Sequence, residues 1–116
     1  MQKGIREKAL EDVPRFISPM KPKMVPRLPE DRSKWLLEPK LDGYRVIAVK
    51  SADHANLYSM DSKVYNQEFP EIYQALEKLL HKDIVLDGEI VAVEANGRPN
   101  FNALQNRKST KLPIYL

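Results

Sequence analysis

Lys40-Leu41-Asp42-Gly43-Tyr44-Arg45 sets a lysine two residues before an Asp-Gly pair, with an arginine just beyond it. Lysine becomes a nitrogen nucleophile once its ammonium loses a proton, which requires surroundings that pull its pKa below about 10.4. A nearby permanent cation disfavours the ammonium form, and partial burial acts in the same direction. Arg45 supplies that cation. Its planar fork also suits phosphate oxygens, and so can hold an anionic substrate beside the nucleophile. Further along, Asp87-Gly88-Glu89 reads as a second turn of the same type, delivering a carboxylate. A glutamate pointing into such a site accepts hydrogen bonds from a ribose hydroxyl or helps hold a magnesium ion. Each piece also has an ordinary reading, because Asp-Gly between hydrophobic alternations is a hairpin signal in its own right.

The elements that must position these residues are β-like from Trp35 onward. Trp35 to Lys40 is a candidate strand, and Tyr44 to Lys50 alternates Tyr44, Val46 and Ala48 against Arg45, Ile47 and Val49. Asn56 to Met60 is a third candidate, reached through a turn at Ser51-Ala52-Asp53. Phe69-Pro70 opens a helix whose Ile72, Leu76, Leu79 and Leu80 form an apolar stripe. Ile84 to Val93 is the next strand, with Asp87, Glu89, Val91 and Val93 on one face and Leu86, Ile90 and Ala92 on the other. Asn96-Gly97 is the strongest turn signal, and Asn100 is placed to cap a short helix through Arg107. The pattern predicts an α+β fold, an antiparallel sheet with packed helices.

Residues 1–34 have a different character. Ile5, Ala9, Leu10 and Val13 recur at helical spacing, predicting a short amphipathic helix that ends before Pro14. Pro14, Pro19, Pro22, Pro26 and Pro29 then deny the chain regular structure, which predicts an extended strap or a partly disordered lead-in. Nine basic residues precede Trp35, and a basic leading segment suits either a polyanion such as nucleic acid or simple solvation.

At 116 residues the chain is one domain at most, and 42% hydrophobic with 30% charged residues fits a soluble globular protein. The absence of cysteine excludes disulfide scaffolds, thiolate metal sites and cysteine nucleophiles. His54 and His81 make no ligand spacing. No apolar run is long enough to span a bilayer and the N-terminus lacks a secretion signal, so no membrane partner and a cytoplasmic location are expected. The net charge of +3 is mildly basic.

Glu38-Pro39-Lys40-Leu41-Asp42-Gly43-Tyr44-Arg45 resembles motif I of the covalent nucleotidyltransferases, which comprise ATP-dependent DNA ligases, RNA ligases and mRNA capping enzymes. Leu86-Asp87-Gly88-Glu89-Ile90-Val91 is similar to their motif III. Trp35-Leu36-Leu37-Glu38, Phe69-Pro70-Glu71-Ile72 and Phe101-Asn102-Ala103-Leu104-Gln105 resemble segments of the bacterial end-joining (ligase D type) branch. The resemblance implies that Lys40 attacks the α-phosphate of ATP, expels pyrophosphate and holds AMP as a phosphoramidate. It sets Glu38 at the adenine edge, Arg45 at the ribose or phosphates and Glu89 at the ribose hydroxyls. Pro39 and Leu41 count among the ATP-binding residues it implies, while Asp42 and Gly43 shape the loop that presents the lysine. It further implies ATP and Mg2+ as cofactors, nicked duplex DNA as partner, and transfer of AMP to a DNA 5′-phosphate before the nick is sealed in repair or end joining.

Two departures from the pattern stand out. Ser59-Met60-Asp61-Ser62 occupies the place of a Ser-Arg-Asn-Gly segment whose arginine contacts the nick phosphate in that branch. The family's motifs IIIa, IV and V and its oligonucleotide-binding domain fall beyond Leu116. Residues 35–116 are therefore expected to form a partial adenylation domain that is inactive alone or limited to partial reactions. An exposed edge strand would then invite a second copy or the missing half. The alternatives are a non-catalytic ligase-like fragment that binds DNA or a protein partner, and an RNA ligase or capping-type nucleotidyltransferase.

Overall fold

Four antiparallel strands, β1 (Tyr44–Lys50), β2 (Ala55–Ser59), β3 (Ile84–Ala92) and β4 (Ile114–Tyr115), form one sheet in the order β2-β1-β3-β4. Among the described residues, helices α1 (Pro70–Lys78) and α2 (Phe101–Gln105) complete the regular structure, apart from a 3-10 turn at Arg32–Lys34. The structure is a computed structural model that describes residues 14–109 and 111–116. The helix expected over Ile5 to Val13 lies outside the described residues.

The strand alternation decides which side of the sheet packs. Tyr44, Val46 and Ala48 of β1 join Leu57 of β2 and Leu86, Ile90 and Ala92 of β3 in one apolar cluster, closed by Phe69, Ile72 and Leu76 and by Ala103 and Leu104. Tyr44 sits between two rings of that cluster, Phe69 at 5.8 Å and Phe101 at 5.4 Å. The opposite face is also covered in part. Ile47 and Val49 are 2% and 1% exposed. Phe16 stacks edge-on against Tyr58, the register partner of Ile47, and the Met20 carbonyl accepts from Arg45 on the same face. Phe16 and Met20 thus bring part of the Pro-rich stretch, the strap, onto that side of the sheet.

The two helix ends have separate causes. Pro70 begins α1, where its missing N–H costs nothing. The Lys50 ammonium donates to the carbonyls of Glu77, at 2.7 Å, and of Leu79, satisfying groups the last turn leaves open. The helix stops at Lys78, so the expected stripe is cut short: Ile72 and Leu76 are buried, but Leu79 and Leu80 are exposed. Asn100 caps α2 by accepting from the Ala103 N–H at 2.9 Å, and the helix ends at Gln105, two residues before the expected Arg107.

Two sequence expectations require correction. Trp35 to Lys40 is not a strand: no partner strand lies beside it among the described residues, and every residue from Trp35 to Asp42 is exposed. Asp87-Gly88-Glu89 is not a turn but the middle of β3, paired throughout with β1. Gly88 is accommodated there because the Leu116 side chain lies over it; a Cβ would come within 3.0 Å of that side chain.

Beyond β2 the chain reverses through Met60 and Asp61. The Ser59 N–H donates to the Lys63 carbonyl (2.8 Å), and the Ser59 hydroxyl accepts from the Lys63 N–H (3.0 Å). Ser62 pays for this reversal with a φ of 59° in the left-handed region. Ser62→Gly is therefore expected to stabilise the fold by roughly 0.5–1 kcal/mol. Urea denaturation reads this directly; a lowered midpoint would show that the hydroxyl contributes more than the backbone strain removes.

Candidate active site

Antiparallel pairing of β1 with β3 brings the two sequence motifs together. Arg45 lies directly opposite Glu89 in the register, and Asp87 opposite Ile47, so all three charged residues share the face crossed by the strap. Arg45 reaches diagonally to Asp87. Its Nε donates to Oδ1 at 2.9 Å and its Nη2 to Oδ2 at 2.8 Å, a two-point ion pair, while Nη1 donates to the Met20 carbonyl at 2.9 Å.

The electrostatics follow from this geometry. Hydrogen bonding to Asp87 raises the Arg45 pKa, with the charges of Asp87 and Glu89 adding to it and desolvation opposing. The same hydrogen bonds hold the Asp87 carboxyl below its ordinary 3.8, again against desolvation. The side chains are 27% and 45% exposed, so solvent screens the pair, and its contribution belongs at the upper end of about 0–1 kcal/mol. A carboxyl depressed on folding stabilises the native state above its unfolded pKa and loses that contribution as pH falls through the folded value. Wild-type stability is accordingly expected to fall more steeply than that of Asp87→Asn below about pH 4. Melting temperatures of both proteins across acidic buffers measure the difference; parallel curves would contradict it.

Lys40 takes no part in this ion pair. It lies on the exposed segment that holds Glu38, Pro39, Leu41 and Asp42, and its side chain makes no hydrogen bond or ion pair among the described residues. The partial burial expected of the nucleophile is not present. Gly43 anchors the end of this segment. A Cβ there would lie 2.0 Å from the Ile90 carbonyl oxygen, so only glycine lets the loop pass so close to β3.

Sequence reasoning named Arg45 and Glu89 but missed Asp87 as Arg45's partner, and missed the Met20 carbonyl. The strand alternation had put Asp87 on the Glu89 face; only the register adds the diagonal to Arg45. Among the described residues no three Asp, Glu or His side chains gather into a metal site, and no helix is long and apolar enough to cross a membrane. Two grooves of about 360 and 370 Å³ lie beside α1, and neither is lined by Lys40, Arg45 or Glu89.

Comparisons with known proteins give this arrangement its class. The mycobacterial DNA ligase D complexed with ATP and MES superposes with a TM-score of 0.57 at 30% identity, covering 66% of this chain and 25% of that one. The ligase domain of M. tuberculosis LigD gives 0.56 at 30% identity, covering 67% of this chain and 26% of that one. The fold is that of the nucleotidyltransferase domain of these ligases. A family model described as the ATP dependent DNA ligase domain matches residues 17–114, and the chain belongs to that family. The multifunctional non-homologous end joining protein LigD of Pseudomonas aeruginosa is 35% identical over 94 residues, which are 81% of this chain and 11% of that protein. DNA ligase C of Mycobacterium tuberculosis is 37% identical over 91 residues, 78% of this chain and 24% of that protein. The chain thus spans a small part of the length of these relatives.

Proposed function

We propose that residues 35–116 are the front of the adenylation domain of an ATP-dependent DNA ligase of the end-joining type, with 1–34 as its basic, Pro-rich lead-in. The observation that carries this reading is the β1–β3 register, which sets Arg45 of the first motif directly opposite Glu89 of the second. In this reading the neutral Lys40 amine attacks the α-phosphorus of ATP. An N–P bond forms, the P–O bond to pyrophosphate breaks, and the amine gives up its proton. Arg45 faces the ribose or phosphates, Glu89 accepts from the ribose hydroxyls, and Glu38 meets the adenine edge. Pro39 and Leu41 line the nucleotide, and Asp42 and Gly43 hold the loop. AMP then passes to the 5′-phosphate of nicked duplex DNA, and the adjacent 3′-hydroxyl displaces it.

Mg2+ typically uses one or two carboxylates together with phosphate oxygens, which fits a site offering Glu89 and, among the described residues, no carboxylate cage. When bound, it offsets the phosphate charge. The exposure of Lys40 favours completion of the site by a further segment, either the rest of an adenylation domain or a second copy.

Intact-protein mass after incubation with ATP or GTP and magnesium tests the proposal. An AMP-sized increase with ATP alone supports it. A GMP-sized increase favours the capping-type alternative, and no adduct with either favours a non-catalytic fragment.

A further inference from the structure

Arg45 carries five N–H donors, and three are used within the chain: two on Asp87 and one on the Met20 carbonyl. Two remain, one on each terminal nitrogen. Glu89 is the register partner of Arg45 and the nearer carboxylate along the strand, yet it makes no ion pair with it; the guanidinium turns to Asp87 instead. A bidentate carboxylate fixes both the plane and the direction of a guanidinium, which a single contact does not. Without Asp87, the closest anion left to the Arg45 fork would be Glu89, and the two groups would neutralise each other.

We propose that Asp87 is a positioning residue of the nucleotide site. It holds the side edge of the Arg45 fork so that two arginine donors stay open to phosphate and the Glu89 carboxylate stays open to hydroxyl donors. The Met20 carbonyl fixes the third side of the guanidinium, so the strap is part of the same device. Asp87 touches no substrate and acts through Arg45 and Glu89. This inference rests on the nucleotide-site reading above.

Calorimetric titration of the full chain with magnesium ATP tests it, on the wild type, Asp87→Asn, Asp87→Glu, and the exchanged pair Arg45→Asp with Asp87→Arg. Asp87→Asn is expected to weaken ATP about tenfold, with Asp87→Glu intermediate. The Glu variant also supplies the answer if the Asn variant does not fold. The exchanged pair rebuilds the salt bridge with the guanidinium on the wrong strand. It should recover thermal stability but not ATP affinity. Asp87→Asn binding within twofold of the wild type overturns the inference, as does an exchanged pair that regains affinity together with stability. A wild-type chain that binds no ATP overturns the nucleotide-site reading itself, and the inference falls with it.

Discussion

Lys40→Arg is expected to leave no AMP-modified chain, although it keeps the positive charge and nearly the same reach. The phosphoramidate step needs a neutral nitrogen lone pair. A guanidinium holds its proton far more tightly than an ammonium, so arginine offers almost no neutral nitrogen at usable pH. The delocalised guanidinium lone pair adds to that loss. Lys40 is exposed and without a hydrogen-bonding partner among the described residues, so the substitution has no packing to disturb. The expected phenotype is lost chemistry in a protein with an unchanged melting temperature. Intact mass and a thermal melt on the same sample separate the two, and an adduct that persists would place the nucleophile elsewhere.

Gly43→Ala is expected to have the largest effect on stability, roughly 3 kcal/mol or more. The new Cβ would sit 2.0 Å from the Ile90 carbonyl oxygen and 2.9 Å from Val91 Cγ1. The closest atom is backbone, so no rotamer relieves the clash. Either the loop lifts away from β3 or the first β1–β3 pair, Tyr44 with Ile90, opens. A domain of this size holds about 5–15 kcal/mol in total, so a substantial part of its stability would be lost. Gly97 provides the contrast. It has a φ of +82° but open space around it, so alanine there should cost only about 1 kcal/mol. Urea midpoints for the two variants check the ranking, and equal midpoints would contradict the close approach at Gly43.

What the sequence showed and what it hid divide along physical lines. The seven residues of β1 were legible because Tyr44, Val46 and Ala48 alternate with Arg45, Ile47 and Val49 across a pleat, and the Pro70 start of α1 was legible because proline suits a first turn. Trp35 to Lys40 carries the same kind of pattern but forms no strand here. A strand exists only against a partner, and none flanks this segment among the described residues. Asp87-Gly88 misled in the other direction. The dipeptide is a turn signal locally, yet it lies inside β3, where it pairs with β1 and is covered by Leu116. The end of α1 was hidden because the Lys50 cap comes from a distant strand. For the site, motif spacing gave Arg45 and Glu89. The Asp87 contact depends on cross-strand register, which no local pattern encodes.

The central claim is that Lys40 is the acceptor of AMP. Peptide mapping of the chain after incubation with ATP and magnesium tests it most directly, with Lys40→Ala treated in parallel. The account predicts AMP on the Lys40 peptide and on no other, with none in the variant. AMP on another residue, or an equal adduct in the variant, would contradict it.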